Sequence, residues 1–191
     1  MPDIELLDVE AKRRQAVLEA YQNSEDYKTK ILQRRNIVDS CERSNESKAY
    51  ALFVCKSDPV FFINNFLWTP NDKYEQYHFP FILFPFQEEY IHWLNDHIDT
   101  GRDCLVEKSR EMGVTWVTLS LFLWKWLFND NFNALIGSYK ETLVDDKTKD
   151  SLFGMLDYNL RQIPKWMLPR KFNIKNHRTG MKLVKRLWTP R

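Results

Sequence analysis

The run Cys104-Leu105-Val106-Glu107-Lys108-Ser109-Arg110-Glu111-Met112-Gly113-Val114-Thr115-Trp116 decides how this chain is read. A strand-like apolar start, a charged loop with one glycine, and then the apolar stretch Trp116–Phe128 make the layout of a phosphate-cradling loop between a strand and a helix. Laid on the pattern G-x-x-x-x-G-K-[ST], Gly113 takes the last glycine position and Thr115 the hydroxyl position. Lys108 stands at the first glycine, and Val114 where the lysine belongs. The lysine has moved across the loop. Its long stem still reaches a phosphate from that side, Arg110 adds a second cation, and Gly113 supplies permissive backbone just before the helix. The other reading of this spacing is a strand end, a charged turn and a buried helix, with Lys108, Arg110 and Glu111 merely solvated. Spacing alone leaves both open.

Outward from the loop, Gln87 to Ile98 reads as a helix with Tyr90, Ile91 and Leu94 on one face, and Asp99-Thr100-Gly101-Arg102 as a turn. A strand over 103–108, a helix from Val114 to Phe128, a break at Asn129-Asp130-Asn131 and a strand from Asn133 to Ser138 follow. A helix from about Asp150 to Gln162 ends at Pro164. Strand, helix, strand, helix predicts an α/β fold with a parallel sheet and right-handed crossovers. Two strands fall short of the about five that a doubly wound domain needs, so the sheet looks unfinished.

Upstream, Ile4 to Arg35 is charged and free of glycine, which predicts a helical N-terminal arm. Lys48 to Lys56 is a second short helical or extended piece, closed by Asp58-Pro59. From Pro59 to Phe86 the chain is dense in aromatic residues and proline, as in a lid packed through its rings. A base-stacking surface is the sharper alternative, but no run of basic residues is interleaved, which favours core packing.

Composition bounds the rest. The 191 residues, 43% hydrophobic and 28% charged, suit one domain or two small ones. A net charge of +2 neither demands nor excludes nucleic acid, although the segment from Lys165 onward is basic and holds no acid. Three widely spaced cysteines form no C-x-x-C pair and fit a reducing interior. Met1 to Glu10 carries four acids and no signal core, and Trp116–Phe128 is too short to span a membrane and contains Lys125, so a cytoplasmic protein with no membrane association is expected.

Three stretches in order resemble the large terminase subunit of tailed bacteriophages, the ATPase motor that packages DNA. They are Asp58-Pro59-Val60-Phe61-Phe62-Ile63-Asn64-Asn65-Phe66-Leu67-Trp68, then Phe84-Pro85-Phe86-Gln87, then the loop Glu107–Trp116 followed by Leu135-Ile136-Gly137-Ser138-Tyr139-Lys140-Glu141. With Trp166-Met167-Leu168-Pro169 they span 58–169. The resemblance implies a partial P-loop NTPase over 58–169, a helical arm over 1–57 and a basic tail over 170–191. It implies ATP and Mg2+ as cofactors, held by Phe86, Gln87, Lys108, Ser109, Arg110, Glu111, Met112, Gly113, Val114 and Thr115. Lys108 is assigned to the phosphates, Thr115 to magnesium, Gln87 to adenine with Phe86 stacked nearby, and Arg110 to charge stabilisation at the γ-phosphate as the catalytic residue. Expected partners are double-stranded DNA in the intact motor, a small terminase subunit, the portal protein and further copies of the chain.

The sequence also departs from that family. No apolar strand ends in Asp-Glu, and Leu143-Val144-Asp145-Asp146 reads as a solvated turn rather than that element. The carboxylate cluster of a two-metal nuclease is missing. The chain therefore reads as the N-terminal piece of a split, truncated or frameshifted terminase, with its own hydrolysis in doubt. A non-catalytic interaction module is the alternative, and a helicase-like ATPase, which needs further motifs, ranks last.

Overall fold

The computed structural model describes residue 16 and residues 19–70, 78–109 and 112–184. The chain is mainly helical. Helices α1 (Glu25–Arg43), α2 (Asn45–Ser57) and α3 (Pro59–Phe66) follow one another with single-residue joints. Each joint is a cap. Ser44 ends α1 by donating its N–H to the Ser40 carbonyl, and its hydroxyl accepts from Glu46 N and Ser47 N to start α2. Asp58 does the same between α2 and α3, accepting from Phe61 N at 2.9 Å with Pro59 at the first helical position.

Strand β1 (Trp68–Pro70) pairs antiparallel with β2 (His78–Pro80), and α4 (Pro85–Thr100) follows, ended by Gly101 at φ 64°. Helix α5 (Val114–Phe128) then runs through the core, followed by α6 (Glu141–Val144), α7 (Leu152–Gln162) and α8 (Ile174–His177). A last hairpin pairs β3 (Arg178–Thr179) with β4 (Lys182–Leu183).

The core is built around α5, which packs against α3, α4 and α7. Val117 and Leu121 are completely buried, and the Trp124 indole donates to the Cys55 carbonyl at 2.5 Å, fastening α5 to the end of α2. Phe62 and Phe66 of α3 are buried and make edge-to-face contacts with Phe128 and Trp166. The expectation of ring packing between Pro59 and Phe86 therefore holds for Phe62, Phe66 and Phe81. Tyr74 and Tyr77 lie outside the described residues.

The expected parallel sheet is not formed. Among the described residues there are two two-stranded antiparallel sheets and no parallel pairing, so the α/β P-loop fold is corrected to a mainly helical one. The predicted strand regions 103–108 and 133–138 lie outside any helix or strand and make no backbone hydrogen bond to another described residue. The physical reason is non-local. A strand exists only when a second strand takes up its amides and carbonyls, and among the described residues none pairs with either run. Helices α4, α5 and α7, whose hydrogen bonds are local, form close to where the sequence predicts them.

Among the described residues, no helix is long and apolar enough to cross a membrane.

Candidate functional site

The loop and the Gln87 segment, separate in sequence, are brought together. Gln87 is the third residue of α4 and is 5% exposed. Its Oε1 accepts from Phe84 N at 3.1 Å, while its Nε2 donates to the Met112 carbonyl at 3.1 Å. One amide thus closes the first turn of α4 and holds the end of the loop.

Gly113, at φ 72°, is the N-cap residue of α5 and offers no side-chain cap. The backbone N–H groups of Val114, Thr115 and Trp116 make no hydrogen bond to another described residue, and the first amide satisfied is that of Val117, on the Gly113 carbonyl at 3.0 Å. Among the described residues, nothing caps these three amides at the start of the 15-residue helix, a geometry that suits an anion. Thr115 is exposed beside them, at the second helical position, and Val114 is half-buried at the first.

Lys108 and Ser109 are exposed, and Arg110 and Glu111 lie outside the described residues. Phe86 is 42% exposed and stacks on Phe84 with centroids 5.5 Å apart, not over the loop. Gln87 already spends one hydrogen bond from each end of its amide on protein. One N–H and one lone pair of that amide remain uncommitted to these two partners.

Two further groups set this geometry and were not singled out from sequence. Asn64 accepts from Leu83 N at 2.8 Å and donates to Glu88 at 3.0 Å, while Tyr21 donates to the Leu83 carbonyl at 2.7 Å. Together they fix the approach to α4. Lys30 bridges Asp26 at 3.0 Å and Glu88 at 2.9 Å; burial would lower its pKa, but these hydrogen bonds more than reverse that and keep it charged. On the other side of the loop, Tyr90 and Thr118 share a hydrogen bond of 2.9 Å between α4 and α5, and burial raises the Tyr90 phenol. Only the asparagine spacing Asn64-Asn65 inside an apolar helix offered a sequence signal.

Asp145 corrects another expectation. Its side chain is 2% exposed, not solvated, and pairs with Arg178 at 2.7 Å and Lys147 at 2.6 Å. Desolvation would raise its pKa, yet those two cations hold the carboxyl below its usual range. Asp157, also paired to Arg178, is shifted the other way because its burial outweighs the pairing. Asp145 is engaged in fastening the β3–β4 hairpin to the end of α6, and Asp157 fastens it to α7. No cluster of three or more histidine, cysteine or acidic residues able to hold a metal occurs among the described residues.

Comparison with family models, curated proteins and solved structures finds no match for this chain.

Gly113 gives a direct check on the joint. A Cβ built there would lie 2.9 Å from Gln87 Nε2, and the backbone is left-handed. Gly113→Ala is therefore expected to lose about 1–2 kcal/mol, combining strain with a weakened Gln87–Met112 bond. Gly101→Ala, also left-handed but with open space around it, is expected to lose only the strain, about 1 kcal/mol. Urea denaturation of both variants and of Gln87→Ala in each background reads the difference. Equal losses for the two glycines, with no coupling to Gln87, would remove the joint's energetic role.

Proposed function

We propose that this chain binds ATP at the start of α5 and that it is the ATP-binding part of a phage DNA-packaging motor of the large-terminase kind. The observation that carries the reading is the Gln87–Met112 hydrogen bond, which places the uncapped amides of α5, Thr115 and the Gln87 amide in one locality. The polyphosphate sits against the amides of Val114, Thr115 and Trp116, with Lys108 and Arg110 supplying positive charge from the loop. Mg2+ would come with the phosphates, which suits a site with a hydroxyl at Thr115 and, among the described residues, no cluster of carboxylates. When bound, the metal would neutralise phosphate charge. Gln87, Met112 and Gly113 hold the loop's end, while Phe86, stacked on Phe84, does not face it. Translocation of double-stranded DNA belongs to the intact motor and rests on the resemblance over 58–169.

Titration with a fluorescent ATP analogue in the presence of Mg2+ tests the site. Lys108→Ala is expected to weaken binding about fivefold, since an exposed ammonium contributes modestly. Unchanged affinity in that variant would remove Lys108 from the phosphates.

The second reading, an interaction module, is favoured by Leu32, Tyr50 and Phe53 of α1 and α2, which are 59%, 68% and 73% exposed. A small terminase subunit or a portal protein is the partner that this reading names. Gel filtration of the mixtures with and without ATP separates it from the first.

A further inference from the structure

Helix α8 and the β3–β4 hairpin form a small unit that is satisfied largely within itself. Asn173 caps α8 by accepting from Lys175 N at 2.9 Å, His177 stacks on Phe172 with centroids 4.8 Å apart, and Val184 N donates to the His177 carbonyl at 2.8 Å. Helix α8 packs on β3 and β3 on β4, while their backbones make little close approach to the other described helices and strands. The chain enters the unit through Lys171, whose φ of 61° is a left-handed conformation that side chains disfavour.

Side chains tie this unit to the core. Phe172, Ile174 and Leu183 rest on it half-buried, with Phe172 edge-on to Trp126 at 6.0 Å. The charged tie is Arg178, 7% exposed, whose Nε lies 3.2 Å from Asp157, whose Nη2 lies 2.7 Å from Asp145, and whose guanidinium covers the Phe153 ring at 4.2 Å. A buried guanidinium holds firmly only when its donors all find acceptors. Here they do not. Arg178 Nη2 and Asp145 Oδ1 are buried without a hydrogen-bond partner among the described residues, so their side chains approach as an ion pair that lacks hydrogen-bond alignment. Asp145 is also shared with Lys147 at 2.6 Å.

Beneath the unit there is space. Met181, Leu183 and Val184 line a cavity of about 410 Å³ together with Trp126, Phe153 and Leu156, so part of the packing that would seat the hairpin on α5 and α7 is missing.

We propose that residues 172–184 are a lid over this cavity, turning about Lys171 while α5 and α7 stay folded, and that Arg178 is its latch. Hydrogen bonds that close within the lid survive its movement, few backbone contacts resist it, and the one buried cation that crosses to the core is incompletely paired. Segments of this kind open at a smaller free energy than the core does. The inference stands apart from the nucleotide reading, because lid opening is read without ATP.

Hydrogen exchange by mass spectrometry on the full chain tests it. In the parent, the amides of Asn176, His177 and Val184, all bonded within the lid, are expected to exchange at least about tenfold faster than those of residues 121–125 in α5. Arg178→Met keeps much of the stem over Phe153 and removes both pairings, and is expected to speed lid exchange by a further tenfold or roughly so, with α5 unchanged within about twofold. Asp157→Asn is isosteric, weakens only the pairing at Nε, and should speed the lid about threefold; it carries the test alone if Arg178→Met does not fold. Three results overturn the proposal: lid amides as slow as α5 in the parent, acceleration of α5 and the lid together, which would make Arg178 a staple of the whole core, and no acceleration in either variant.

Discussion

Gly154→Ala is expected to destabilise the protein by about 3–5 kcal/mol, at the upper end of what overpacking does. A Cβ at this position would lie 1.6 Å from the Thr148 carbonyl oxygen and 2.7 Å from its carbon, distances no side-chain adjustment can relieve. The approach is built into the turn that starts α7. Asp146 accepts from Thr148 N at 2.8 Å and from its hydroxyl at 2.7 Å, and Lys147 adopts φ 68°. The Ser151 hydroxyl then donates to the Thr148 carbonyl at 3.0 Å and accepts from Gly154 N at 3.2 Å. The carbonyl is thereby laid on the first turn of the helix, where only a hydrogen fits. Moving it displaces Phe153, Leu156 and Leu160 from the core, and with them the contact of α7 with α5. A fall in Tm of about 10 °C is the expected reading by calorimetry, against a small change for Gly137→Ala, which has open space and no left-handed backbone. A Gly154→Ala melting within about 2 °C of the parent would show that the turn is not seated as described.

The second large effect concerns a cation in the core. Lys125 is 1% exposed in the middle of α5, its Nζ 2.5 Å from Asp99 Oδ1 and 5.6 Å from the Trp124 ring centre. Asp99→Ala leaves the ammonium buried without its counter-charge, and a loss of about 2–3 kcal/mol is expected. That is below the usual range for a broken buried pair because Asp99 is itself 54% exposed, which lets water approach. Lys125→Met should behave oppositely, staying within about 1 kcal/mol of the parent, since methionine fills much the same space and asks for no partner. The double variant should then match Lys125→Met alone. Urea denaturation of the four proteins completes the cycle. Were Lys125→Met as damaging as Asp99→Ala, the ammonium itself would have to be needed, through Phe132 or through an acceptor on another molecule.

The Lys125 effect arises where the chain meets itself 26 residues away, and such meetings separate what was legible from what was not. Helix α5 was readable from Val114 to Phe128 because its apolar content and its glycine start are local. Helix α7 begins two residues after the predicted Asp150, where Ser151 provides the cap. Lys125, by contrast, looked like a mark against a membrane span, and nothing in its neighbours announced a partner in Asp99 on another helix. Asp145 looked solvated because its cations, Lys147 and Arg178, include one that only the final hairpin delivers.

The candidate site divides the same way. Gly113 and Thr115 declared themselves through spacing, and the structure places them at the N-terminus of a helix, where that spacing predicts. The bond from Gln87 to Met112, which joins two stretches 25 residues apart, could not be read from either. Phe86 turned to Phe84 rather than to the loop because two rings at the mouth of α4 find each other first.

Sequence alone determined α4, α5, α7 and the turn glycine at Gly101, since each is satisfied by hydrogen bonds within a few residues of itself. Tertiary structure alone decided the absence of a parallel sheet. Strand character is a proposal that a run of residues makes to a distant partner, and Cys104-Leu105-Val106 and Ala134-Leu135-Ile136 find none among the described residues.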